Sequence, residues 1–426
     1  MIGILGGGLS AVSLQHFLFP KSQILEKDNA LGGLCRSFKK DGFSYDLGGH
    51  ILFSKDKAVL GLIKRILGNN IHAQRRNNKI FYKGRFVKYP FENGLGILDK
   101  EDVYDCLMGV LRNNYPKPKD FFSWMYYNFG DGITEKYLLP YNNKIWKFAL
   151  DKMSLDWVGR LPRPPIDDIV KSALGIETEG YLHQLNFFYP RHGGIQSLIS
   201  AFAGGKQDCI CGFNIKKISR RRKEWLVSDG KNIRPYNKIV ITFAVAEALR
   251  MMENVPLRVM QAAKDLRYNC LRVVLIGIKN RSLLDKSAIY IPDKDILAHR
   301  VCFMGYFSQN NVPLGNSSLV AEVTAKPGSG LAKVSNSLLI EKIVKNLSCI
   351  GIIDKKDIVT TDIKNLPYGY VIHDRDRQKN MKIIRSFFDS LGIKLLGRFA
   401  EFEYINMDQV VARSRSLASK MNLRKL

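Results

Sequence analysis

Residues 1–38 read MIGILGGGLSAVSLQHFLFPKSQILEKDNALGGLCRSF. A short apolar run, Ile2 to Leu5, breaks into three glycines. LSAVSLQHFLF then spaces its apolar residues as one face of a helix, and SQILEK returns to strand texture. This is the start of a strand–helix–strand unit. Gly6, Gly8 and Ala11 fit the pattern G-x-G-x-x-G/A. The first glycine allows the tight turn, the second lets the backbone approach a pyrophosphate, and the small third residue permits close helix–strand packing. The helix N-terminus offers N–H groups to phosphate charge. Glu26 ends the second strand, where a carboxylate accepts hydrogen bonds from a ribose and repels a 2′-phosphate, so NADP is disfavoured at this turn.

Composition bounds the rest. The chain has 426 residues, 46% of them hydrophobic, so two or three domains are expected. Against 66 Lys+Arg stand only 39 Asp+Glu, a net charge of +27 that suits anionic substrates. The cations are spread along the chain. Their densest run, KKISRRRKEW from Lys216 to Trp225, passes into EWLVSDG and reads as a solvated hairpin, so no nucleic-acid partner is expected. Loose peripheral contact with anionic membrane lipid stays open. Seven scattered cysteines without a CxxC pair read as reduced thiols. The first strand begins at Ile2 and no apolar run approaches about eighteen residues, so a cytoplasmic location is expected, with no signal peptide or membrane span. The histidines show no metal spacing, and no metal is expected.

The residues after Glu26 favour FAD over NAD. EKDNALGGLCRSF places Gly32–Gly33 just past the acidic strand end, and YDLGGHILF adds Gly48–Gly49. Backbone that must approach a second portion of a long cofactor needs such residues. This pairing resembles the glutathione-reductase-type FAD proteins, a group that includes amine oxidases, protoporphyrinogen oxidases and UDP-galactopyranose mutases. Several segments resemble the mutases in particular. GGHILFS is similar to their GGHxxFS stretch, which implies His50 beside the flavin. YPFENGLGIL resembles YPFQN, implying Tyr89 and Phe91 at the uracil, with Glu92 where the family has glutamine. PYNNKIWKFALDKMSLDWVGR resembles PYNxKVW and its sequel, implying Asn142 and Trp146 at the nucleotide and Arg160 or Arg163 at the diphosphate. FYPRHGGIQSLISAF matches a shared YPxxGG helix start. GRFAEFEYINMDQVVARS resembles the mutase ending, implying Arg398 and Tyr404 at the diphosphate, and Tyr370 and Lys279 stand about where the family has further diphosphate ligands.

A helix N-terminus after INMD can point N–H groups at the flavin pyrimidine and favour its anionic reduced form. On this reading the cofactor-binding residues are Gly6, Gly8, Ser10, Ala11, Glu26, Lys27, Gly33, Leu34, Gly49, His50, Ile51, Arg398, Asn406, Met407, Asp408 and Gln409. His50, Arg160 and Arg398 are the catalytic candidates.

Helical periodicity from Asp99 to Leu174 and apolar–polar alternation over 268–325 complete an α/β fold. We expect a Rossmann-like FAD-binding domain (1–85, 186–264 and 385–426), an inserted helical domain (86–185) and an antiparallel β-sheet substrate domain (265–384). The resemblance implies a flavin-dependent UDP-sugar pyranose/furanose mutase serving cell-surface polysaccharide biosynthesis, non-redox overall, with reduced flavin N5 as the nucleophile. The alternative is an FAD-dependent oxidase or dehydrogenase of the amine oxidase or protoporphyrinogen oxidase type. NAD(P)H is a candidate reductant of the flavin, and a homo-oligomer stays open.

Overall fold

Ile2–Leu5 is the middle strand of a five-stranded parallel sheet ordered Lys394–Leu395, Lys238–Ile241, Ile2–Leu5, Ser22–Leu25, Cys209–Ile210. The structure, a computed structural model, describes residues 1–18, 21–179, 185–205, 208–279 and 285–422. All four residues of the middle strand are buried, as a parallel strand covered on both faces requires. Helix Leu9–Phe17 covers one face and packs against the last helix, Met407–Asn422, where the Ser13 hydroxyl donates to Ser414 Oγ at 2.8 Å. Helices Val245–Met251, Leu257–Lys264 and Arg377–Ser390 cover the other. The chain leaves the middle strand toward Ser22–Leu25 on one side, while Lys238–Ile241 lies on the other. The crevice at the carboxyl ends of these strands is where open α/β sheets bind ligands.

A second sheet has seven strands, ordered Ile358–Val371, Tyr268–Ile278, Ser317–Ala325, Arg300–Phe303, Ala288–Tyr290, Asn78–Tyr82, Arg85–Lys88. It is mixed rather than wholly antiparallel, because Ala288–Tyr290 runs parallel to Asn78–Tyr82. The expected boundary at 85/86 is therefore corrected: it cuts the hairpin 78–88, which belongs to the large sheet. The boundary at 384/385 likewise cuts the continuous helix Arg377–Ser390, whose Met381, Ile384 and Phe388 pack into the core beside the parallel sheet.

The helices between Lys100 and Ala173 share one core with the large sheet. Phe91, Phe121, Trp124 and Trp146 pack with Leu271 and Leu275. Lys217–Arg221 and Glu224–Ser228 form the basic hairpin, extended by Ile233–Tyr236. Among the described residues no helix is long and apolar enough to cross a membrane.

Candidate functional site

Three backbone segments converge on the start of helix Leu9–Phe17. Gly8, which precedes the helix, has open space where a Cβ would stand. Gly33 crosses so closely that its own Cβ would lie 3.2 Å from the Gly8 Cα. Gly397 crosses Ser10, and a Cβ there would sit 2.2 Å from the serine Oγ. At the end of the second strand Glu26 accepts hydrogen bonds from Gly7 N (2.6 Å) and Asp28 N (2.9 Å), which fixes its carboxylate at the rim of the turn.

Beside this cradle a cavity of about 260 Å³ opens between the two sheets and the helical segment. Leu34, Gly49, His50, Ile51, Asn406 and Met407 line it from the parallel-sheet side, with Arg398. Helix Leu139–Trp146 and the turn Val158–Arg160 bring Tyr141, Asn142, Trp146 and Arg160, while the large sheet contributes Tyr290, Arg300, Glu322 and Tyr370. The helix Met407–Asn422 begins at this wall, so the positive end of its dipole faces the cavity.

Two guanidiniums flank Tyr404: Arg160 lies 4.0 Å and Arg398 5.3 Å from its ring centre. Arg160 donates to Tyr404 O (3.0 Å) and Asn406 Oδ1 (2.8 Å), and Arg398 donates twice to Ile405 O. Burial lowers the pKa of Arg398. Behind Tyr404, its backbone N–H donates to His373 Nε2 (3.2 Å), which leaves Nδ1 to donate to Asp156 (2.9 Å). Trp146 meets Trp157, Tyr370 and Tyr404 edge-on, at ring separations of 4.9, 6.2 and 5.9 Å. Tyr89 stacks on Tyr290 at 4.9 Å, and Tyr141 meets Tyr290 edge-on.

The floor is an ion pair. Glu322 accepts two hydrogen bonds from Arg300 (2.8 and 2.7 Å), one from Gly49 N (3.0 Å) and one from the Tyr370 hydroxyl (3.3 Å). Burial opposes the Arg300 charge, but the Glu322 contact holds its pKa well above the ordinary value. Burial, then Arg398 and Arg300, push the pKa of His50 down to about 3, so its ring is neutral.

The sequence-predicted residues fare unevenly. The cavity brings together His50, Tyr89, Asn142, Trp146, Arg160, Tyr370, Arg398 and Tyr404. Asn142, however, is engaged within its helix: it donates to Leu138 O and accepts from Trp146 Nε1 (3.0 Å), so it orients the indole. Phe91 is fully buried against Tyr137 and Tyr82, away from the cavity, because the short helical turn Phe91–Asn93 rotates it into the core. Arg163 and Lys27 are exposed. Gln409 turns back to accept from Asn406 N (3.0 Å). Lys279 is corrected outright. It is exposed past the end of strand Tyr268–Ile278, eight residues and about 26 Å along the chain from Leu271, which touches the cavity. The Gly48–Gly49 turn also differs in its role: a Cβ at Gly49 would lie 2.5 Å from Cys302 Sγ, so this glycine seats the turn on the sheet.

Sequence reasoning missed Arg76, Tyr141, Trp157, Tyr290, Arg300 and Glu322. One signal was present: Glu322 is the lone charge in SSLVAEVTA, and a carboxylate in a buried strand requires a partner.

A flavin dinucleotide fits these residues. The turn leaves room at Gly8, Glu26 stands at the ribose position, and two buried polar atoms, His50 Nδ1 in the cavity and Asp408 Oδ1 beside Met407, have no partner among the described residues. Ser54 holds the other Asp408 oxygen at 2.7 Å.

Comparison with known proteins agrees with that chemistry. A crystal structure of reduced UDP-galactopyranose mutase superposes with a TM-score of 0.90 at 24% identity, covering 99% of this chain and 95% of that one. A putative protoporphyrinogen oxidase from Exiguobacterium sp. 255-15 has a TM-score of 0.78 at 16% identity, covering 99% and 98%. Putrescine oxidase bound to putrescine gives 0.68 at 14% identity, covering 99% and 98%. These likenesses establish the fold. Residues 7–369 match the family described as flavin containing amine oxidoreductase. The chain therefore belongs to the flavin-containing amine oxidoreductase family, and its cofactor is FAD.

Proposed function

We propose that the protein is a UDP-sugar pyranose/furanose mutase of the UDP-galactopyranose type. The observation that carries this reading is the charge of the cavity. Among the described residues Arg76, Arg160, Arg300 and Arg398 line it against a single carboxylate, Glu322, which Arg300 already occupies. Such a cavity repels a cationic amine and attracts a diphosphate.

When bound, reduced FAD supplies the nucleophile for the anomeric carbon. Arg160 and Arg398 hold the diphosphate on either side of Tyr404 and stabilise the charge that develops as UDP departs. Tyr89, Tyr141 and Tyr290 form an aromatic wall for the base, and the Trp157 indole N–H, buried without an acceptor among the described residues, donates to the nucleotide. His50, neutral at physiological pH, orients by hydrogen bonding and adds no charge. His373 holds the Tyr404 backbone and so keeps the phenol between the two arginines.

The test is product analysis after incubating the FAD-loaded protein with UDP-galactopyranose, oxidised or chemically reduced without oxygen. Furanose in the reduced sample alone is the expected outcome, and its absence from both rejects the galactose assignment. A second reading, an oxidase, draws on the fold match to a putative protoporphyrinogen oxidase. It predicts substrate-dependent oxygen consumption, which the mutase reading does not.

A further inference from the structure

A second cavity, of about 400 Å³, lies next to the first and shares Tyr89 and Arg76 with it. Its base is the hairpin of Asn78–Tyr82 and Arg85–Lys88, where Lys79 and Lys88 are direct cross-strand partners. Residues directly opposite in an antiparallel pair project from the same face, and two like charges so placed are destabilising. Lys88 reaches Thr178 O (2.6 Å) and lies 4.0 Å from Glu179. Lys79 is half-buried, and among the described residues its ammonium makes no hydrogen bond or ion pair. Burial and the neighbouring Lys286 and Lys88 charges lower its pKa, while Asp285 and Glu177 act on it only through space. Asp285 is already paired with Lys286.

The backbone register thus holds two lysines together with no counterion for Lys79 among the described residues. Four cations, Arg75, Arg76, Lys79 and Lys88, face two carboxylates, Glu177 and Glu179, and Arg75 already pairs with Glu179. Arg76 is shared with the first cavity, so this cavity keeps an excess of one to two positive charges, which suits a phosphate monoester carrying roughly −1.5 to −2 at neutral pH.

We propose that this cavity binds the phosphate monoester of a small molecule, held by Lys79 and Lys88. A UDP-sugar carries its diphosphate esterified at both ends, so this ligand is distinct from the substrate proposed above, and the inference stands whether or not the mutase reading does.

The experiment uses the FAD-loaded protein and three probes at matched ionic strength: inorganic phosphate, ribose 5-phosphate and chloride. Thermal unfolding and calorimetric titration are read for the wild type, the double variant Lys79→Gln/Lys88→Gln, and Arg160→Gln in the first cavity. We expect phosphate to raise the wild-type melting temperature beyond the effect of chloride. The lysine variant should melt higher than wild type in chloride, its like-charge pair being gone, and bind phosphate at least about tenfold more weakly. Arg160→Gln should keep the response. Tighter binding of ribose 5-phosphate than of inorganic phosphate supports an organic ester as the occupant, and the reverse overturns the ester in favour of the free ion. A full phosphate response in the lysine variant, its loss in Arg160→Gln alone, or a wild-type response no larger than that to chloride overturns the proposal.

Discussion

Two glutamates are buried to nearly equal depth, one at the cavity floor and one away from the cavity, and are handled in opposite ways. Glu322, in the large sheet, is fully buried and accepts the Arg300 fork, the Gly49 amide and the Tyr370 hydroxyl. Glu92, in the turn after the Tyr89–Pro90 bond, is 2% exposed, and its Oε2 has no partner among the described residues. Burial raises the Glu92 pKa from 4.5 to about 7. One carboxylate is a strut that ties three elements to the cavity floor, while the other is an acid that burial keeps protonated below about pH 7. Burial alone does not set the state of a charge; the partners supplied by the register do.

Removing the strut has the largest expected effect. Glu322→Ala leaves Arg300 enclosed without its counterion and should reduce unfolding free energy by about 3–5 kcal/mol in chemical denaturation. A loss under about 1 kcal/mol would show that water or the open cavity already screens the pair.

Glu92 gives the next effect, and it depends on pH. The folded pKa lies above the ordinary one, so the stabilisation from the neutral acid is complete below pH 4.5 and is lost as pH rises through 7. Relative to Glu92→Gln, whose amide does not titrate, the wild type should lose about 3 kcal/mol across that interval, from about 1.4 kcal/mol per pH unit. Denaturation of both proteins at pH 4.5, 6 and 8 measures the difference, and parallel curves would mean that Glu92 is ionised and solvated in the folded state.

The two glycine turns sharpen the contrast further. Gly49→Ala drives a methyl against Cys302 above the Glu322 strut and should cost about 1–3 kcal/mol. Gly8→Val enters open space in extended backbone, so the apo protein should change by less than about 0.5 kcal/mol while flavin content falls sharply. Flavin absorbance with apo-protein denaturation separates the two. Equal flavin loss with unequal stability loss would show that both turns touch the cofactor.

The cradle was legible because its parts are contiguous: a strand, a turn and a helix within Ile2–Phe17, with Glu26 one strand later. The C-terminal stretch GRFAEFEYINMD was legible for the same reason, since Arg398, Tyr404 and Asn406 act within nine residues of one another. Arg300 and Glu322 were not. Their contact exists because Arg300–Phe303 and Ser317–Ala325 pair with Arg300 opposite Glu322, a register that alternation alone does not specify. Lys279 went wrong in the complementary way. The residue ends a correctly read strand, but that strand runs eleven residues and only its other end approaches the cavity.

The contact between helices Leu9–Phe17 and Met407–Asn422, sealed by Ser13 and Ser414, sets a schedule for the newborn protein. The glycine turn is made first and Met407, which starts the helix packed against it, about 400 residues later. At about 5–20 residues per second the first half of the pocket waits roughly 20–80 s for the second. During that interval no nascent chain can enclose a flavin, so capture of the cofactor follows translation and depends on how long the unclosed chain escapes aggregation.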